Sequence, residues 1–131
     1  MGKGADFLRE AGVYFIATSE NGQPQLRPFG SNMEYKGRFY FSMGRSKNVF
    51  RQMISNPKVS IVAMKPDRDW IRIVGEAVLD ESEDAKEYLL ANNPRIKEIY
   101  KDNPSEIALF YLTNATCILN ESGKESAQTD L

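Results

Sequence analysis

Along most of the chain, apolar residues recur at every second position, the spacing of a half-buried strand, and a few stretches switch to helical spacing. A short helix is predicted over about residues 5–11, ended by Gly12, a residue suited to the position just past a helix C-terminus. The run "VYFIAT", residues 13–18, is rich in β-branched and aromatic side chains and reads as a strand. Asn21-Gly22 is a strong two-residue hairpin signal. The return run "PQLRPFGSNMEY" alternates, with Pro28 and Gly30 marking an edge or a bulge. Lys36-Gly37 then turns the chain into "RFYFSM", so these three strands are expected to form a meander.

A second helix is predicted over about residues 47–55, with Val49, Phe50, Met53 and Ile54 as its apolar stripe and Asn56-Pro57 as its stop. "KVSIVAM" and "WIRIVGEAVL" are two more strands around the turn "KPDRD". In the second of these, Ile71, Ile73, Ala77 and Leu79 face one way, and Trp70, Arg72 and Glu76 the other. "SEDAKEYLLAN" reads as an amphipathic helix and "NPRIKEIY" as a short one, with Pro94 at a favoured first position. "EIALFYLT" and "TCIL" finish as strands, and residues 121–131 are expected to fray. Seven short strands with hairpin connections predict a mainly β fold, a small closed or partly open barrel with peripheral helices. No repeat or linker divides residues 1–131, so a single domain is expected.

Composition narrows the chemistry. The chain has no histidine, which removes imidazole acid–base catalysis, histidine-ligated haem and the commonest zinc and iron ligand. Cys117 is the only cysteine, so no intrachain disulfide or cysteine-rich metal site is available, and no metal is expected. A bound cofactor is the natural source of any redox chemistry. Net charge is −1, but residues 1–75 carry a balance of +6 and residues 76–131 one of −7. That asymmetry suits an anion site in the first half, and a nucleic-acid surface would call for a basic pI. No apolar run reaches the roughly 18 residues of a membrane span, and the N-terminus has no apolar signal core. A cytoplasmic protein that binds neither membrane nor nucleic acid is the expectation.

One stretch is at odds with helix electrostatics. "GRSK" places Arg45, Ser46 and Lys47 at the start of the second helix, where the helix dipole and free N–H groups favour anions. The later helix at Ser82 follows its cap with Glu83 and Asp84, as the dipole prefers. The stretch is either a solvated basic turn or a site for a bound phosphate. Arg27 sits mid-strand beside Pro28, as an edge-strand guard or as part of a ligand edge. Trp70 shares a face with Arg72, and its indole suits packing at a core or subunit contact as well as stacking on a planar ring.

The order of these pieces resembles the flavin-binding split barrels related to pyridoxamine 5′-phosphate oxidase, in the nitroimidazole-reductase-like branch. The resemblance covers roughly residues 7–79: strand, hairpin, R-P strand, a strand with serine, lysine at a helix start, an N-P stop, then W-x-R-x-x-G. It implies a split β-barrel homodimer of the FMN-binding type, with FMN in the cleft between subunits. It points to Arg27, Pro28, Phe29 and Gly30 beside the flavin, and to Ser42, Met43, Arg45, Ser46 and Lys47 around the ribityl phosphate. It also implies that Trp70, with Arg72, reaches across from the partner chain. The implied activity is an oxidoreductase passing electrons from NADH or NADPH to a small-molecule acceptor, with no catalytic side chain assigned. A deazaflavin cofactor and a non-catalytic flavin-binding or flavin-sensing role are the alternatives. Three departures matter. The tail "ESGKESAQTDL" lacks the Trp and Arg of the vitamin B6 oxidases, Ser42 stands where nitroimidazole-reductase-like relatives often have histidine, and haem-degrading split barrels rely on histidine.

Overall fold

The computed structural model describes residues 2–131. Helix α1 (Lys3–Ala11) leads into strands β1 (Tyr14–Glu20), β2 (Gln23–Phe29), β3 (Met33–Tyr35) and β4 (Arg38–Gly44). Helix α2 (Asn48–Ser55) is followed by β5 (Lys58–Met64) and β6 (Trp70–Asp80). Helices α3 (Glu83–Asn92) and α4 (Pro94–Ile99) precede a long strand β7 (Ile107–Asn120) and a short β8 (Ala127–Thr129). The fold is mainly β, one antiparallel sheet in the order β2-β1-β5-β6-β7-β4-β3, with β8 added to β7 and the helices at the periphery.

Both predicted hairpin turns form through left-handed backbone. Asn21 and Gly22 have φ of 52° and 80°, and Lys36 and Gly37 have 50° and 73°, as a twisted two-residue hairpin requires. The expected meander does not form. β2 pairs only with β1, and β3 pairs only with β4, so the two hairpins stand at opposite ends of the sheet. Residues 30–32 alone connect them, a span of at most roughly 14 Å from Phe29 to Met33. The sheet must therefore curl until its ends approach without a β2–β3 ladder, which is the split in the barrel. Ser31 pins this junction: its Oγ accepts from the Ser42 N–H at 3.0 Å, and its carbonyl accepts from the Tyr14 hydroxyl.

Other boundaries also moved. The two final predicted strands merge into β7, whose pairing with β6 shifts register between Val74 and Glu76. The tail expected to fray instead supplies β8, and the Gly4 and Ala5 N–H groups donate to the Asp130 and Leu131 carbonyls at 2.7 and 2.6 Å. Inward residues such as Tyr14, Ile16, Phe41, Ile61, Ile73 and Phe110 fill the curled sheet, with Phe41 and Phe110 stacked at 6.1 Å. Cys117 lies in this core, and burial raises its thiol pKa to about 11. The outward face of β2, β1, β5 and β6 is unusually apolar for a surface, exposing Leu26, Phe15, Val62, Met64 and Val74. Among the described residues no helix is long and apolar enough to cross a membrane.

Candidate functional site

The split in the sheet opens a cleft of about 860 Å³ between β2, the β4–α2 corner and the α3–α4 junction. Its apolar lining includes Pro28, Phe29, Met43 and Val49, and its outer wall includes Ile96, Ile99 and Tyr100. Arg27, Lys47 and Arg95 all line it, and among the described residues no aspartate or glutamate does. An open apolar cleft ringed by cations and lacking carboxylates is suited to a flat ligand with an anionic end.

Alternation along β2 turns Arg27 inward, opposite to exposed Leu26 and Pro28. The guanidinium folds back over β1. Its Nη1 donates to the Ile16 carbonyl at 3.1 Å and to Thr18 Oγ1 at 2.9 Å, and its Nη2 donates to Gln52 Oε1 at 2.6 Å. Every one of these acceptors is neutral. Burial lowers the Arg27 pKa, as expected for a partly desolvated cation, yet a guanidinium remains charged. Gln52 donates onward from Nε2 to Glu20 at 2.8 Å, and Glu20 is gripped by Arg51 at 2.6 and 2.8 Å. The Glu20 carboxyl is held below its usual range, first by the Gln52 hydrogen bond and then by Arg51.

The "GRSK" stretch divides at the corner. Lys47 is the N-cap residue of α2, with extended backbone and no side-chain cap, and α2 has no acid in its first turn. Lys47, Asn48 and Val49 line the cleft, so the start of the helix opens onto it. Arg45 and Ser46 turn the other way. Arg45 pairs with Glu81, donates from Nε to the Ser105 carbonyl at 3.1 Å, and lies over the Phe50 ring. Ser46, just before the helix, donates its hydroxyl and its backbone N–H to Glu106. Glu106 is thus the anion at this corner, its pKa lowered by the Ser46 hydrogen bonds and then by the charges of Lys47 and Arg45. Lys47 feels that charge without forming an ion pair among the described residues. Gly44 leaves room for Glu106, since a Cβ there would stand 2.8 Å from its Oε2.

Of the residues singled out in the sequence, Arg27, Pro28, Phe29, Gly30, Ser42, Met43 and Lys47 line one cleft. Arg45 and Ser46 do not. Trp70 and Arg72 also lie apart from it, on the outward face of β6, with the guanidinium 5.1 Å from the indole ring centroid. Sequence reasoning missed Gln52, Asn48, Ser31 and the α4 wall. A signal for Gln52 existed: it is a polar residue between Val49 and Met53 on the buried side of α2. Nothing local signals that α4 closes over the cleft, because that depends on tertiary packing.

The model of the family described as pyridoxamine 5′-phosphate oxidase matches residues 2–112. The chain belongs to the pyridoxamine 5′-phosphate oxidase family. Within it the chain falls in the nitroimidazole-reductase-like branch. A NimC/NimA family protein from Clostridium acetobutylicum is 36% identical with a TM-score of 0.92, covering 98% of this chain and 90% of that one. A second Clostridium acetobutylicum structure, of a protein related to general stress protein 26, has 17% identity and a TM-score of 0.70, covering 95% and 94% of the two chains. The heme storage protein HutZ of Vibrio cholerae has 17% identity and a TM-score of 0.65, covering 84% and 88%. These two share the fold. A comparison with curated proteins found no match.

Proposed function

We propose that this family member binds FMN in the cleft and works as an oxidoreductase, passing electrons from a reduced nicotinamide to a small acceptor. The observation that carries the reading is the cleft's cation set, Arg27, Lys47 and Arg95, with no carboxylate in the lining. A phosphate monoester supplies the missing negative charge, and Lys47 and Asn48 at the start of α2 are the residues to hold it. Pro28, Phe29, Met43 and Val49 supply apolar surface for a planar ring and keep water from it. When bound, FMN supplies hydride and electron transfer at its ring system. The chain's own part is binding, orientation and exclusion of water. Its cleft lining has no carboxylate, histidine or cysteine to move a proton near neutral pH.

A second copy of the chain completes the site in this reading. The apolar outward face supports it: in register, Pro28, Phe15, Val62 and Arg72 form one row across β2, β1, β5 and β6. Leu26, Ala17, Ser60 and Val74 form the adjacent row. Covering this face would carry Trp70 and Arg72 towards the partner. Sedimentation should give a dimer that Val62→Glu converts to monomer with loss of flavin affinity, and a monomeric wild type would refute this arrangement.

The test of the main reading is spectroscopic. Purified protein should carry or take up a yellow chromophore released on denaturation as FMN, and NADH or NADPH should bleach it anaerobically. A deazaflavin would show a different spectrum and mass. Bound flavin that no nicotinamide reduces would identify a binding protein instead of an enzyme.

A further inference from the structure

Arg27 is held in place by a relay that ends on the carboxylate of Glu20 but meets Arg27 only through neutral oxygens. Gln52 and Thr18 are 5% and 3% exposed, so their polar atoms must find partners inside the protein. Glu20 only accepts hydrogen bonds, which fixes the Gln52 amide with Nε2 towards Glu20 and Oε1 towards Arg27 and Thr18. The Thr18 hydroxyl accepts from Arg27 and donates to Gln52 Oε1 at 2.5 Å, closing the triangle. The network contains two guanidiniums, Arg27 and Arg51, and one carboxylate, Glu20, which faces Arg51.

We propose that Gln52 is a positioning residue that sets the charge of the cleft: it transmits the hold of Glu20 to Arg27 through a neutral amide, leaving the Arg27 charge unmatched for an anionic ligand. A carboxylate at position 52 would have the same shape and would accept the same two hydrogen bonds, but it would pair with Arg27 directly and cancel that charge. The amide orients the cation without neutralising it. This inference rests on the reading that the cleft takes the phosphate of FMN, and its test separates the two.

The experiment exchanges the two side chains in the double variant Glu20→Gln, Gln52→Glu. Net charge is unchanged, and the hydrogen bonds made at position 52 each keep a donor and an acceptor, with the amide at position 20 now donating inward and its oxygen keeping one of the two Arg51 contacts. FMN and riboflavin are titrated into wild type and variant, and unfolding midpoints are compared. We expect FMN affinity to fall by about tenfold or more while riboflavin affinity and folding are retained. Gln52→Met, which removes the hold without adding charge, should lower FMN affinity less. A merely structural role for Gln52 would weaken both flavins equally. Equal FMN affinity in wild type and exchanged variant overturns the inference and leaves the flavin reading intact. If wild type takes neither flavin, the flavin reading fails and inorganic phosphate becomes the probe. Phosphate that raises the unfolding midpoint of wild type and not of the variant upholds the inference, and phosphate with no effect on either overturns it. Should the double variant not fold, Gln52→Met replaces it: a greater loss of affinity for FMN than for riboflavin upholds the inference, and an equal loss of both, or no loss, overturns it.

Discussion

At the β4–α2 corner, Arg45 and Ser46 turn one way and Lys47 the other, and the two sides meet different surroundings. On the outer side, Arg45 meets Glu81 and Ser46 meets Glu106, so the protein supplies its own anions. On the cleft side, Lys47 has no ion pair among the described residues, and Arg27 rests on neutral oxygens. Three adjacent residues therefore do two jobs. Basic residues that already hold carboxylates stabilise the corner, and those left without one define where an external anion belongs.

That contrast can be broken from either side. The largest effect is expected from Arg27→Ala, which should weaken FMN binding by about 1.5–3 kcal/mol, the size of a hydrogen bond to a charged group. It should also lower stability by about 1–3 kcal/mol, because buried Thr18 loses its donor and buried Gln52 one of its two. Denaturant unfolding beside a flavin titration reads both. Lys47→Ala should weaken FMN by a similar 1.5–3 kcal/mol, roughly, with stability changed by no more than about 0.5 kcal/mol. Unchanged affinity in this variant would mean that the phosphate lies elsewhere.

On the matched side the effects are smaller and of the opposite kind. Arg45→Ala should leave FMN affinity untouched and cost at most about 1 kcal/mol of stability, since the pair with Glu81 is largely solvated. A drop in affinity here would return Arg45 to the site. The smallest effect is in acid. Glu20 and Glu106 both have folded pKa values lowered from the ordinary 4.5. Their contribution to stability is complete above that value and is lost as pH falls through the lowered ones. Unfolding midpoints measured from pH 6 down to pH 3 should fall at the acid end, and Glu106→Gln should flatten part of that fall.

How much was legible beforehand follows the range of the interactions involved. Asn21-Gly22 and Lys36-Gly37 were readable because a two-residue turn is decided by its own backbone. The Ser82 cap was readable for the same reason, and its side chain accepts from the Ala85 N–H. The meander failed because residues 30–32 carry no mark saying that the next strand joins the far edge of the sheet. The tail departs from the expected fraying because residues 130–131, just past β8, are bonded by the Gly4 and Ala5 N–H groups from the far end of the sequence. Arg27, Ser42 and Lys47, which ordered motifs along the chain single out, line the cleft together. The division of "GRSK" was invisible, because the anion that claims Ser46 is Glu106, in a turn after α4. Gln52 was overlooked because a lone polar residue in an apolar stripe gives no indication of its partners.

The central claim is that an unmatched positive cleft in this fold holds a flavin by its phosphate. Parallel titrations of FMN and riboflavin into the purified wild-type protein, followed by flavin fluorescence at low and high salt, test it most directly. The account predicts saturable binding of one FMN per chain, tighter than riboflavin, with that preference shrinking as salt screens the cations. Absence of saturable FMN binding, or equal affinity for FMN and riboflavin at every salt concentration, would contradict it.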